Sequence, residues 1–236
     1  MRRRDFITLL GGAAITWPLT ARAWQALSLK NFVFDIAGVT LSGTILDPYW
    51  SRKYDRGRDA SLLWSLEVET RSQVPNDEAW APHVYHHTLR LPVRRWIDIQ
   101  GQSVAWNVPF DKRTGEPNGR FHVLGHENIS KANLRFGERA GLKFRFEWEG
   151  LCDIQWDDKY GKDEPFAASG WAVFNGIIAY GSEFDTDELL RARLKQYVDV
   201  DDFTQEPIQF NGHAYEDGVR MADALFKPIS PTSQGG

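Results

Sequence analysis

Hydrophobic and charged residues alternate most regularly between residues 142 and 149. One face of this segment carries Leu142, Phe144, Phe146 and Trp148, and the other carries Lys143, Arg145, Glu147 and Glu149. A period of two residues is typical of a half-buried β-strand. The even-numbered apolar positions continue to Cys152 and Ile154, which predicts that Cys152 faces the core. Gly150 predicts a bend or bulge between two strands at this point.

Short segments rich in β-branched and aromatic residues predict further strands along the chain. They cover residues 32–36, 39–46, 62–70, 84–91, 96–99, 104–108 and 171–180. Residues 121–125 predict a strand followed by a turn. Gly101 and Gln102 separate two of the segments, so we expect 96–99 and 104–108 to form a hairpin.

The hydrophobic period changes near the C-terminus. Between residues 186 and 198, Leu190, Leu194 and Val198 recur on one helical face. Asp185 is the expected N-cap, with Glu188 completing a capping-box-like pair. A second, weaker helix is predicted from Tyr215 to Phe226.

These elements predict a mainly β fold: an antiparallel β-sandwich or open barrel, with one or two C-terminal helices packed on it. The predicted organisation is an export signal at residues 1–23 and a β-rich domain at 24–182. A helical extension of the same domain follows at 183–228, and a disordered tail at 229–236.

The N-terminus has the three parts of a secretory signal. Three arginines precede an apolar run at 6–17 that is shorter than a membrane span, and Ala21 and Ala23 form a cleavage site. The residues Arg3-Arg4-Asp5-Phe6-Ile7 resemble the core of twin-arginine export signals. The resemblance implies a periplasmic or secreted protein that folds in the cytoplasm before transport. The alternative is a membrane-anchoring or buried N-terminal helix.

Composition narrows the choice of partners. Without residues 1–23 the chain keeps 24 basic and 31 acidic residues, a net charge near −7. An acidic surface repels phosphate backbones, so we expect no nucleic-acid partner.

A single cysteine excludes an intrachain disulfide. Ten tryptophans serve either as core filler or as stacking surfaces for flat or sugar-like ligands.

Aromatic and acidic residues cluster in the segments 49–54, 76–80 and 156–166. Loops held by a rigid scaffold often carry binding residues. The candidate binding residues are Asp157, Asp158, Tyr160, Trp50 and Trp80. The alternative is that these aromatics anchor long loops to the sheet.

Catalytic and metal-binding patterns are weaker. Glu147 and Glu149 share a strand face about 6.5 Å apart by strand rise, which is in the general range of paired-carboxylate hydrolysis. The five histidines His83, His86, His87, His122 and His126 contain no H-x-H pair that would place two ligands side by side on a strand, so no metal site or cofactor is predicted. Cys152 is expected to be a buried structural thiol.

Three functions remain open. The preferred hypothesis is a non-catalytic exported protein that binds a carbohydrate, another small molecule or an envelope protein. The alternatives are a hydrolase of envelope or plant glycans that uses a pair of carboxylates from among Glu147, Glu149, Asp157 and Asp158, and a structural envelope protein. No stable membrane anchor is expected.

Overall fold

A computed structural model describes residues 25–45, 61–75, 77–112, 115–155, 160–214 and 218–230. The predicted export signal, Trp50, Asp157, Asp158 and most of the predicted tail lie outside the described residues.

Strands dominate the described part of the chain, as the hydrophobic pattern predicts. Twelve strands form one sheet. They are β1 (Ala26–Leu29), β2 (Phe32–Ile45), β3 (Leu62–Thr70), β4 (His83–Leu89), β5 (Ser103–Trp106), β6 (Arg120–His122), β7 (His126–Ala140), β8 (Lys143–Cys152), β9 (Glu164–Ser182), β10 (Phe203–Gln205), β11 (Gln209–Ala214) and β12 (Arg220–Pro228). Within the described ranges one α-helix, α1 (Asp187–Lys195), accompanies them, with short 3₁₀ helices at Trp96–Ile99 and Val200–Asp202. The mainly β prediction with a C-terminal helix is confirmed.

The sheet closes on itself through β9. Its strands run in the order β1-β2-β3-β4-β6-β7-β8-β9-β12-β10, and β9 also pairs with β1 and β2. The β2–β9 pairing is parallel, whereas the other strand pairs are antiparallel. Strand β5 lies off this path beside β7, and β11 lies beside β12. The closed ring has an interior face that forms the core and an outer face that is open to solvent.

Strand β8 shows how the sequence builds the core. Its residues Phe144, Phe146, Trp148 and Cys152 are buried, whereas Lys143, Glu147 and Glu149 are exposed. The predicted alternation and the inward position of Cys152 are therefore confirmed. Gly150 does not separate two strands, because β8 continues through it, but the β7–β8 pairing has a register shift nearby, between Ile129 and Lys131 of β7. A Cβ at Gly150 would clash with the Lys131 carbonyl oxygen and come within 2.8 Å of the Phe166 ring, so the glycine permits close packing.

The segment 96–99 is a 3₁₀ helix, and the predicted strand is wrong. Its buried residues Trp96 and Ile99 are three apart, which matches a 3₁₀ period better than a strand period. The Trp96 ring stacks on Phe174 at a centroid distance of 5.6 Å. The predicted hairpin is also wrong, because β5 pairs with residues 132–135 of β7.

At the C-terminus one of the two predicted helices forms. Thr186, rather than Asp185, is the N-cap of α1 and accepts a hydrogen bond from the Leu189 amide. Asp185 instead forms an ion pair with Arg193 at 3.0 Å.

The second predicted helix is wrong, because residues 220–228 form β12, which pairs with β9. Ala222, Ala224 and Phe226 are buried at alternate positions. This alternation has the strand period, so residues 220–228 belong to the sheet rather than to a helical extension.

Candidate functional site

A groove of about 970 Å³ crosses the outer face of the sheet where β1, β5, β7, β8 and β9 meet. Its walls combine apolar surface with scattered polar side chains. Its lining residues are Ser28, Lys30, Ala105, Trp106, Asn107, Lys131, Ala132, Asn133, Glu149, Gly150, Leu151, Pro165, Phe166 and Ala167. This volume lies at the upper end of the range for small-molecule sites, about 300–1,000 Å³.

Trp106 is the larger of the two aromatic residues that line the groove. Its indole N–H donates to the Ile129 carbonyl at 3.2 Å. The ring packs edge-on against buried Trp148 at 6.2 Å and against His86 at 5.1 Å. Because its donor is already occupied, Trp106 offers a ligand a fixed apolar surface rather than a hydrogen bond.

The rim of the groove contacts the described part of the predicted binding segment 156–166. The Lys30 ammonium donates to the Tyr160 carbonyl at 2.6 Å and pairs with Glu164 at 3.1 Å. On the other side of the loop, the Ser130 hydroxyl donates to Asp163 at 2.7 Å. The segment that ends at Glu164 therefore borders the groove.

The two candidate carboxylates lie next to each other on the outer face of β8. Glu149 lines the groove and lies 3.9 Å from Arg135. Glu147 lines a separate depression of about 310 Å³, together with Arg135 and Arg145. The two carboxylates thus face neighbouring cavities rather than each other across one cleft.

The described aromatic candidates differ in their surroundings. Tyr160 is half-buried and packs against the core. Trp80 is 4% exposed, packs edge-on against Phe32 at 6.0 Å and donates to Glu78 at 3.3 Å. The position of Trp80 fits the interpretation that these aromatics anchor loops to the sheet.

A second group of polar side chains, which we call the histidine face, covers the outer surface of β3, β4, β6 and the start of β7. It consists of Glu67, Glu69, His83, Tyr85, His87, His122 and His126. The strand register places Glu69, His83, His122 and His126 in one row across the four strands. The spacing of these histidines along the chain does not reveal that they pair with the glutamates of β3.

Ring stacking orders the histidine face. The Tyr85 ring lies between His83 and His87, at centroid distances of 4.7 and 4.6 Å. His122 and His126 stack at 4.2 Å. A hydrogen bond of 3.0 Å joins the Tyr85 hydroxyl to His126 Nδ1.

Burial lowers the pKa of two imidazoles of the histidine face. It lowers the pKa of His83, although the neighbouring Glu67 and Glu69 act in the opposite direction. It also lowers the pKa of His122, with His126 adding to the effect. The inward-facing neighbour His86 is nearly enclosed, and burial, reinforced by His87, lowers its pKa to about 3.

Cys152 has the properties of an unreactive thiol. It is fully buried, and burial raises its pKa, with Asp153 and Glu164 adding to the shift. A thiol that resists ionisation is a poor nucleophile.

No family model matches the chain, and no curated protein or solved structure does either. No helix in the described ranges is long and apolar enough to cross a membrane.

Proposed function

We propose that this is an exported, non-catalytic protein that binds a small polar organic molecule, such as a short carbohydrate, in the groove on its outer face. The groove itself is the observation that carries the proposal. It combines the fixed apolar surface of Trp106 with the hydrogen-bonding groups of Lys131 and Asn133 on β7 and of Asn107 just after β5. Sugars need both an apolar surface and polar partners for their hydroxyls.

The positions of Glu147 and Glu149 favour ligand binding over glycan hydrolysis. Glycosidases place an acid and a second carboxylate on opposite sides of the scissile bond. Glu147 and Glu149 instead share one strand and line different cavities. The described part of the groove therefore offers Glu149 as a hydrogen-bond acceptor.

The export part of the proposal rests on the Arg3-Arg4-Asp5-Phe6-Ile7 pattern. Replacement of both Arg3 and Arg4 by Lys is expected to retain the protein in the cytoplasm, because twin-arginine recognition requires the arginine pair. Fractionation of cells that express the two forms measures the effect. Equal periplasmic amounts would contradict this route.

The binding part is tested with the full-length chain by a glycan array and a thermal-shift screen, followed by calorimetric titration of each hit. We expect Lys131→Ala to weaken binding of a hit by about tenfold, because the ligand loses a charged donor. Lys143→Ala is the matched control, since Lys143 is an exposed lysine of β8 that does not line the groove. Equal affinities for the two variants, or turnover of a screened substrate, would refute the proposal.

A further inference from the structure

Three side chains of the histidine face gather at the β3–β4 pairing. Glu67 and Glu69 point outward from β3, on either side of the buried Val68. His83 is the direct cross-strand partner of Glu69. One carboxylate oxygen from each glutamate and one ring nitrogen of His83 all lie within 4.8 Å of one another.

The contacts around these three groups leave ligand atoms available. Glu67 Oε1 lies 3.1 Å from His87 Nε2 and accepts a hydrogen bond from the Ser65 hydroxyl at 3.5 Å. Glu67 Oε2 lies 3.9 Å from His83 Nε2, beyond hydrogen-bond distance. His83 Nε2 is enclosed and has no hydrogen-bond partner. A buried polar nitrogen without a partner is uncommon in a folded protein and calls for an explanation.

We infer that Glu67, Glu69 and His83 form a binding site for a divalent transition-metal ion, of which Zn²⁺ is the best match. Imidazole nitrogen and carboxylate oxygen are both ordinary zinc ligands, with bonds of about 2.0–2.2 Å. In a tetrahedral site, two atoms that share an ion at this distance lie about 3.3–3.6 Å apart. The three groups, which lie within 4.8 Å of one another, therefore need to contract by at most about 1.5 Å.

The surrounding residues prepare this site for a cation. Two carboxylates supply negative charge, and the Tyr85 ring that stacks on His83 restricts the orientation of the imidazole. The contact of 3.1 Å between His87 Nε2 and Glu67 Oε1 restricts that carboxylate, as partners of ligating groups do in known metal sites.

Imidazole in the ligand set distinguishes this site from an acidic surface that attracts any cation. Mg²⁺ prefers an all-oxygen octahedral environment, whereas Zn²⁺ accepts nitrogen ligands readily. The site is also independent of the groove, because none of its three ligands lines that cavity.

The test is calorimetric titration of the full-length protein with Zn²⁺ alone, at pH 7, and in parallel with Mg²⁺. We expect one Zn²⁺ per chain at this site, with affinity lowered at least tenfold by His83→Ala and by Glu69→Gln. Glu69→Gln keeps the size and exposure of the side chain, so it serves if His83→Ala perturbs folding, which circular dichroism checks. His213→Ala is the matched control, because His213 is an exposed histidine on β11, a strand that pairs with β12.

Saturable Zn²⁺ binding that is lost in His83→Ala and Glu69→Gln but retained in His213→Ala would support the site. Absence of binding to the wild type would overturn it. Equal affinity in all four proteins, or equal affinity for Mg²⁺ and Zn²⁺, would also overturn it, because either result means that the imidazole of His83 is not a ligand. None of these outcomes depends on whether the groove binds an organic ligand.

Discussion

The groove and the histidine face occupy the outer surface of the same sheet and meet along β7, yet they are built differently. The groove is made by small and apolar residues, such as Ala132, Gly150 and Ala167, that leave space between strands. The histidine face is made by larger polar side chains that fill the surface and stack on one another. His126 belongs to one region, and Lys131 and Asn133 belong to the other.

A shift of register between Ile129 and Lys131 in β7 separates the two regions. After this bulge the strand faces the groove with Lys131 and Asn133. Bulges often re-aim side chains in this way. One surface of the sheet therefore forms a concave groove in one region and a cluster of titratable side chains in another, and a bulge of one extra residue lies between them.

The largest difference between the two regions should be in their response to acid, because the buried His86 of β4 lies beneath the histidine face. His86 titrates near 6.5 when unfolded, whereas burial lowers its pKa to about 3 in the fold. The unfolded chain therefore binds the proton more tightly, so the contribution of His86 to stability is complete above about pH 6.5 and falls as the pH drops towards 3. Between pH 7 and pH 4 we expect a loss of about 3 kcal/mol from this residue.

Urea unfolding of the wild type and of His86→Phe at several pH values measures this loss. Phe keeps an aromatic ring of similar size beside Trp106 and cannot take up the proton. The variant should show a shallower decline below pH 6.5. Identical pH slopes would show that His86 is not buried as a neutral group.

Filling the floor of the groove should have the next largest effect. A methyl group at Gly150 would clash with the Lys131 carbonyl oxygen and approach Ala132 Cβ and the Phe166 ring to 2.8 Å each. We expect Gly150→Ala to lower the free energy of unfolding by about 1–3 kcal/mol through overpacking. Gly137→Ala in β7 is the control, because its nearest atom would be 3.8 Å away. Equal midpoints in urea would mean that the groove floor is loosely packed.

Removal of one hydroxyl from the histidine face should cost less. Tyr85→Phe keeps the stacked ring and deletes the hydrogen bond to His126 Nδ1. The expected loss is about 0.5–1 kcal/mol, typical of one hydrogen bond. A double-mutant cycle with His126→Ala isolates this term, and a coupling energy indistinguishable from zero would contradict the proposed order of the histidine face.

The smallest effect is expected for the carboxylate on the groove rim. Glu149 is exposed and lies 3.9 Å from an exposed arginine, so Glu149→Gln should change stability by less than about 0.5 kcal/mol. Glu147→Gln on the same strand face is its control. Thermal melts of both variants measure the change. A loss above about 1 kcal/mol for Glu149→Gln alone would mean that the rim holds the strands together.

The hydrophobic pattern along the chain correctly predicted the elements whose faces depend on nearby residues. The alternation of Phe144, Phe146 and Trp148 with charged residues gave the faces of β8 correctly, and the spacing of Leu190 and Leu194 identified α1. Short apolar segments were ambiguous: residues 220–228 satisfy a strand period as well as a helical one, and their pairing with β9 decides between them.

Both candidate sites depend on strand pairings that bring together residues distant in sequence. Nothing near His83 shows that Glu69 will be its cross-strand partner, since that depends on the register of β3 and β4. The spacing Glu67-Val68-Glu69 was the available signal, because it places two carboxylates on one strand face. The groove was less accessible still, because its walls come from five strands.

The length and position of β9 have a consequence for how the chain is made. Ala26 of β1 pairs with Ser169 of β9, so the first strand of the ring meets its partner only after most of the protein has been synthesised. At ribosomal speeds of about 5–20 residues per second, that interval is on the order of ten to thirty seconds. During this time β1 and β2 present unpaired backbone to other chains, which is a risk for misassembly. The early strands therefore depend on a late one, and a nascent chain that stops before β9 cannot close its core.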